Sequence, residues 1–379
     1  MNIAVVFGGE SCEHDISIIT ALTIFKKYRL AGMQVKLMYV SRKGEFYIGE
    51  GLEDFKKYKS FNESKFNNVV ILDGDNKLYL KKKNKLVELC EIDFIVNCCH
   101  GGAGEDGKFS ALLEHCKIPS SSANFKALGI AMDKYLTKLM AISLDVPVVD
   151  FFQFSYSEWL NSNERVIQQL MQFDFPVVVK PVSQGSSIGV SLATTLDEFN
   201  SAVNLAFKFD HAVICERAII NKREFNCCVV KTAEGKLLAK MDEPISKSVI
   251  ISFKDKYLSE DGNKKPSKVK IWTGKEVSLG IESQSRSKTV SLPTRLRNQI
   301  IKQSKLMYEN LDLNGVVRFD YIMDTNKDKI TLGEINAIPG SLGYYFFEDI
   351  NLLKVLYDAG KIYWSKRFGL SIVGAPTIF

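Results

Sequence analysis

Phe175-Pro176-Val177-Val178-Val179-Lys180-Pro181-Val182-Ser183-Gln184-Gly185-Ser186-Ser187-Ile188-Gly189 is the stretch from which the fold can be read. Three consecutive valines predict a buried strand over 175–181. A lysine ends that strand, and a loop of glycine and serine follows. Backbone N–H groups and hydroxyls in such a loop can cradle phosphate, with Lys180 as a point charge. No Gly-Lys-Ser/Thr opens a helix, so this is not a Walker loop. The plain alternative is a flexible hairpin tip.

Downstream, the spacing predicts a helix over 194–208, strands over 212–217 and 224–231, and an amphipathic helix over 293–309. Residues 246–266 are polar and aperiodic, a length of irregular chain that is usually functional or disordered. Segments 315–323 and 330–335 read as an antiparallel pair. With a period of two, Arg318 and Asp320 share one strand face, and Glu334 and Asn336 share another. Pairing would gather two carboxylates, an amide and a guanidinium. Oxygen ligands of this kind suit Mg²⁺ shared with phosphate. An exposed sheet face could show the same residues, but Phe319, Tyr321 and Ile335 between them are apolar, which favours a lined cleft. Pro339-Gly340 then turns the chain and offers a backbone N–H.

Upstream, strand and helix alternate. Residues 2–7 predict a strand, 13–28 a helix, 34–40 and 93–98 further strands, 108–116 a helix, 118–120 a short strand and 132–143 a helix. Such alternation implies a mostly parallel sheet with ligands at the strand C-termini. Gly8-Gly9-Glu10-Ser11 follows the first strand, where glycine lets a ligand approach and a helix N-terminus favours anions; a plain tight turn would look the same. Glu13 adds a carboxylate in the first helical turn. His100-Gly101-Gly102-Ala103-Gly104-Glu105-Asp106-Gly107 follows an apolar strand, and four glycines with two acids there point to a functional loop.

The 379 residues predict two to three domains. With 46% hydrophobic and 25% charged residues the chain is globular rather than disordered. The net charge of +6 is mild. Its one dense basic run, 81–85, lies between alternating segments as a solvated hairpin tip, so nucleic acid is not an expected partner. No stretch is long and apolar enough for a transmembrane helix, and the start lacks the basic flank of a signal peptide. Eight scattered cysteines without a CxxC pair read as reduced thiols of a cytoplasmic protein, and four scattered histidines give no zinc pattern.

The ordered set of motifs resembles the D-alanine–D-alanine ligase branch of the ATP-grasp enzymes. It runs Phe7-Gly8-Gly9 with Glu13, His100-Gly101-Gly102 to Gly107, Met132-Asp133-Lys134, Lys180-Pro181 to Gly189, Glu216 with Glu224, Lys256-Tyr257-Leu258, Arg318-Phe319-Asp320, and Glu334-Ile335-Asn336 with Ile338-Pro339-Gly340. The resemblance implies an α/β (α+β) ATP-grasp fold with an N-terminal doubly wound-type parallel-sheet domain. It implies a substrate-binding domain over 1–131, a central subdomain over 132–219, and a C-terminal subdomain over 220–379 with the metal site and a mobile loop, 246–266.

The activity it implies is ATP-dependent joining of two D-alanines through an acyl phosphate, for peptidoglycan precursor. Lys134 and Lys180 should hold ATP phosphates, Glu216 the adenine amino group and Glu224 the ribose, with Arg217 and Ile219 beside them. Asp320, Glu334 and Asn336 should hold two Mg²⁺ (or Mn²⁺) ions. Arg318 and the Gly340 N–H should stabilise the oxyanion. Glu13 should bind the first ammonium in one set with Ser186 and Tyr257, and His100, Ser341 and Tyr345 should also touch substrate. The family commonly carries serine five residues after Pro-Gly; here Tyr345 stands there, which bears on the second substrate. A homodimer is implied as well. Two alternatives are a ligase taking D-serine or D-lactate second, and a non-catalytic nucleotide-binding regulator. The intact Arg318, Asp320, Glu334 and Asn336 argue against the regulator.

Overall fold

A computed structural model describes residues 2–72, 74–244, 286–287 and 290–369. Tyr257, the segment 246–266 and the end of the chain beyond 369 lie outside the described residues.

Three sheets carry the fold. The first contains β1 (Ile3–Gly8), β2 (Val35–Val40), β3 (Phe46–Ile48), β4 (Asn67–Ile71), β5 (Lys77–Lys82), β6 (Lys85–Glu91) and β7 (Phe94–Asn97), in the order β6-β5-β4-β3-β2-β1-β7. β1 lies between β2 and β7 and is buried at all six positions. Ile3, Val5 and Phe7 pack with helix α1 (His14–Leu30), while Ala4 and Val6 pack with helix α2 (Lys108–His115). A strand covered on both faces has no room for alternating polar residues, which is why it reads as one apolar run.

The expected mostly parallel sheet is corrected here. Only β2-β1-β7 run parallel, and β3 to β6 continue the sheet antiparallel. The alternation of strand and helix breaks off at β2: among the described residues no α-helix separates the strands from β2 to β6, and each of β3 to β6 pairs antiparallel with the one before it. The basic run does tip the β5–β6 hairpin. The strand expected over 118–120 is only a single parallel bridge between Ser120 and Ile95.

Helices α3 (Phe125–Met132) and α4 (Lys134–Ser143) follow. Asp133 ends the first and caps the second, its side chain accepting from the Leu136 N–H. The second sheet has β8 (Phe151–Ser155), β9 (Val177–Pro181), β10 (Ser191–Ala193) and β11 (Ala212–Arg217), all antiparallel, in the order β10-β9-β11-β8. Helices α5 (Tyr156–Asn161), α6 (Asn163–Leu170) and α7 (Leu196–Ala206) accompany it, and Val166, Leu170, Phe199 and Val203 close its core.

The third sheet has β12 (Lys222–Lys231), β13 (Leu237–Pro244), β14 (Arg286–Ser287), β15 (Val316–Asp324) and β16 (Lys329–Asn336), also antiparallel. Val317, Phe319, Tyr321 and Met323 of β15 pack with Leu296, Ile300 and Met307 of helix α8 (Thr294–Asn310). The opposite face of β15 is left for polar side chains. Helix α9 (Leu352–Phe368) then returns to the first sheet: Leu352, Leu353 and Leu356 share a core with Ile3 and Phe94, and Trp364 Nε1 donates to the Ser120 carbonyl over 3.0 Å.

Candidate functional site

Two clefts meet between the sheets. The first is lined by the β9 loop, β11 and the open face of β12, β15 and β16, including Lys134, Lys180, Glu216, Arg217, Ile219, Glu224, Asp320 and Glu334. Val178, Leu192, Ile219 and Ile322 give it apolar walls. The second is lined by Glu13, His100, Glu105, Ser186, Arg318, Asn336 and Gly340. Lys134, Gln184 and Glu334 line both clefts.

The first cleft is built around lysines. Lys180 Nζ donates to Glu216 Oε2 at 2.7 Å, and Lys138 Nζ lies 3.3 Å from Glu216 Oε1. Burial pushes the Glu216 carboxyl up, but Lys138 and Lys180 overcome it and hold the group down to about 2. Lys134 sits at the start of α4 and donates to the carbonyls of Gln184 and Val182. Burial lowers Lys134 and Lys138 from the ordinary lysine range; burial opposes Lys180 too, but Glu216 keeps it raised. Glu224 accepts from Lys222 at 2.6 Å, and Arg217 is tied to Asp150 and Asp174 at the rim.

In the second cleft the Ser186 hydroxyl donates to Glu13 Oε1. Glu13 itself stands at the N-cap position just before α1, not within its first turn. Glu105 accepts from the Gly101 N–H at 2.9 Å and the Ile338 N–H at 3.2 Å. Burial, aided by the neighbouring Glu13 charge, raises the Glu105 carboxyl to about 8. His100 Nε2 meets Thr20 Oγ1 at 2.9 Å, and the same oxygen accepts from the Ser341 N–H at 3.1 Å. Burial, with help from Arg318, lowers His100 to about 4, so its imidazole is neutral near pH 7.

Between the clefts lies the polar face of β15 and β16. Arg318 pairs with Asn336 and Asp320 with Glu334 across the ladder. The Arg318 guanidinium grips Asp320 through two bonds of 2.7 Å each. Burial opposes the Arg318 charge, yet Asp320 holds it firmly on. Asn336 Nδ2 donates to Asp320 Oδ2 at 3.0 Å. A β-bulge makes this face possible: Tyr321 pairs with Leu332 but Asp320 with Glu334, leaving Gly333 as the extra residue. Without it, Glu334 would fall on the core face with Leu332. A Cβ on Gly333 would approach the Asp320 carbonyl oxygen to 3.1 Å, so glycine eases the close approach.

Two carboxylates and an amide oxygen form a hard, oxygen-only donor set once the Asn336 amide turns its oxygen inward. Donors of this kind suit a cation that shares its shell with phosphate oxygens and water, as Mg²⁺ does. Among the described residues no group of three His, Cys, Asp or Glu is placed to hold a metal.

The two clefts thus bring together Glu13, His100, Lys134, Lys180, Ser186, Glu216, Arg217, Ile219, Glu224, Arg318, Asp320, Glu334, Asn336 and Gly340 from the sequence reading. Ser341 and Tyr345 are not among the described residues that line the second cleft. Ser341 is buried on the Thr20 side, and Tyr345 is buried with its ring 4.6 Å from Phe346. The sequence reading missed Lys138, Thr20 and a role for Glu105. Only Lys138 left a trace: Lys134 and Lys138 are four apart, on one helix face.

Two family models match the chain, one described as "D-ala D-ala ligase N-terminus" over residues 2–123 and one as "D-ala D-ala ligase C-terminus" over 140–350. Among curated relatives, a D-alanine–D-alanine ligase of Thermosipho melanesiensis is 32% identical, covering 92% of this chain and 89% of the relative. One from Helicobacter pylori strain HPAG1 is 30% identical over 98% of this chain and 99% of the relative. The solved D-alanine–D-alanine ligase from Helicobacter pylori superposes with a TM-score of 0.73 at 26% identity, covering 95% of this chain and 98% of that one.

Proposed function

The chain belongs to the D-alanine–D-alanine ligase family, and from that premise we propose how its two joined clefts perform ATP-dependent joining of two D-alanines into the dipeptide used as a peptidoglycan precursor. The observation that carries this reading is the shared wall. Lys134, Gln184 and Glu334 border both clefts, so a phosphoryl donor in one faces an acceptor carboxylate in the other.

ATP lies in the first cleft. Its base enters the apolar slot beside Ile219 and Arg217, with Glu216 on its amino edge, and Glu224 takes the ribose hydroxyls. Lys134 and Lys180 hold the phosphates. Asp320, Glu334 and Asn336 hold Mg²⁺ or Mn²⁺, two ions by the family's pattern, which when bound neutralises charge on the transferring phosphoryl group. Glu13 receives the ammonium of the first D-alanine, oriented by Ser186 and by Tyr257. The carboxylate of that D-alanine attacks the terminal phosphorus, ADP leaves, and an acyl phosphate forms. The amine of the second D-alanine adds to the acyl carbon, and Arg318 with the Gly340 N–H stabilises the oxyanion. Phosphate departs and the amide bond remains. His100 holds Thr20 and so the backbone at Ser341, next to Gly340 and ahead of Tyr345. The domain limits 1–131, 132–219 and 220–379, a homodimer and a cytoplasmic setting belong to the same proposal; no helix among the described residues is long and apolar enough to cross a membrane.

Oxygen-18 in the first D-alanine carboxylate is expected in the released phosphate. Label kept wholly in the dipeptide overturns the acyl-phosphate route. The same assay with D-serine or D-lactate as second substrate reads the selectivity for that substrate.

A further inference from the structure

Lys138 is wholly buried on α4 and does not line the nucleotide cleft. It stands behind Glu216, with its Nζ 3.3 Å from Glu216 Oε1 and 5.6 Å from the Phe151 ring centroid. Lys138 Nζ and Glu216 Oε1 are both buried without a hydrogen-bond partner. The other oxygen, Oε2, is taken by Lys180 at 2.7 Å. Two ammonium groups from different elements therefore share one carboxylate, and only Lys180 faces the cleft.

We propose that Lys138 is a positioning residue that keeps Glu216 compensated while the Lys180 ammonium transfers from Glu216 to a nucleotide phosphate. The proposal rests on the nucleotide reading of the first cleft. Phosphate and Glu216 compete for the same Lys180 protons. A buried carboxylate deserted by its only cation is strongly disfavoured, so with Lys180 as sole partner Glu216 would hold it back. Lys138 removes that penalty. As Lys180 leaves, Lys138 stays paired with Oε1, and the 3.3 Å contact has room to shorten. Lys134 does not serve instead, because two of its N–H groups go to the Gln184 and Val182 carbonyls and the third is left for phosphate.

The test uses the full-length enzyme, equilibrium titration with MgATP, and steady-state kinetics. Lys138→Met is expected to weaken ATP at least tenfold while KM for D-alanine stays within twofold. In a Glu216→Gln background no carboxylate needs holding, and adding Lys138→Met is expected to change ATP binding less than twofold. Equal ATP binding by wild type and Lys138→Met, or a parallel rise in both KM values, overturns the proposal. Should Lys138→Met fail to fold, Glu216→Gln with and without Lys138→Met decides: the double variant leaves no charge of this pair unpaired, and in the single variant the Lys138 amine, already lowered by burial, can shed its proton. A tenfold loss between those two variants would show that Lys138 acts on the nucleotide without Glu216, and overturns the proposal; no loss supports it. Wild type that binds no ATP refutes the nucleotide reading itself and the proposal with it.

Discussion

On the side of the site proposed to hold nucleotide, two buried lysines, Lys134 and Lys138, and the cleft-facing Lys180 stand around one buried carboxylate, Glu216. On the D-alanine side the buried groups are a carboxyl, Glu105, and a neutral imidazole, His100, held by backbone N–H groups and a hydroxyl. Around Glu216 positive charge is in surplus, and a polyanion repays its desolvation on arrival. The second wall keeps its buried groups nearly uncharged and leaves charge to Glu13 and Arg318 at the surface of the cleft, where an amino acid's ammonium and carboxylate need opposite partners. The same chain thus prepares one cleft by charge and the other by hydrogen-bond geometry. Glu334 stands where the two meet.

Because Glu334 belongs to both walls, changing it should be the most damaging single step. Glu334→Gln keeps the shape and removes the charge. We expect a fall in kcat of roughly a hundred- to a thousand-fold, the scale of losing one electrostatic stabiliser of a transition state. Phosphate release in the presence of D-alanine and ATP reads it. Excess EDTA should silence the wild type equally, and undiminished turnover in EDTA would remove metal from the site.

A smaller effect separates the walls by pH. His100 falls from 6.5 to about 4 on folding. Its contribution to stability is present above the unfolded value and is lost as pH drops through 6.5 towards 4, because the unfolded chain takes up the proton first. Integrated, that is about 3 kcal/mol. Thermal or denaturant unfolding of His100→Asn between pH 7 and 4 should show a shallower decline than wild type by up to that amount. Parallel profiles would mean that the imidazole is solvated and the second wall is not built on neutrality.

The two walls also differed in how far the sequence revealed them. Lys180, its valine strand and the glycine-serine loop are contiguous, so this edge of the first cleft was legible in one short stretch. The carboxylates of β15 and β16 were legible through their period of two, although the bulge at Gly333 was not; a lone glycine in a strand does not announce which face the next residue takes. The D-alanine wall gave only its edges. Its Thr20, Glu105 and Ile338 contacts join residues far apart in the chain, and nothing local in a helix or a glycine loop records such a partner. The parallel sheet was overextended for a related reason: β3 has three residues, too few to show a period, so the antiparallel continuation left no mark. The return of α9 to the first sheet is a long-range event of the same kind.

The finest test concerns the border between the β9 loop and Glu13. A Cβ built on Gly185 would lie 2.6 Å from Glu13 Oε2 and 3.2 Å from its Cδ. The atom in the way is the end of a side chain, so the chain can accept alanine by moving the carboxylate rather than by unfolding. The moved carboxylate would lose its bond from the Ser186 hydroxyl, and with it the place prepared for the first ammonium. Gly185→Ala is therefore expected to raise KM for the first D-alanine about tenfold, equivalent to about 1.4 kcal/mol, the scale of one hydrogen bond to a charged group. ATP affinity should stay within about twofold, since Lys180 and Glu216 are untouched. The melting temperature should hold or rise slightly, because alanine restricts the unfolded loop. If KM for ATP rises instead, the loop serves the phosphates alone, Glu13 does not mark the first substrate, and the division of labour between the two walls fails at its boundary.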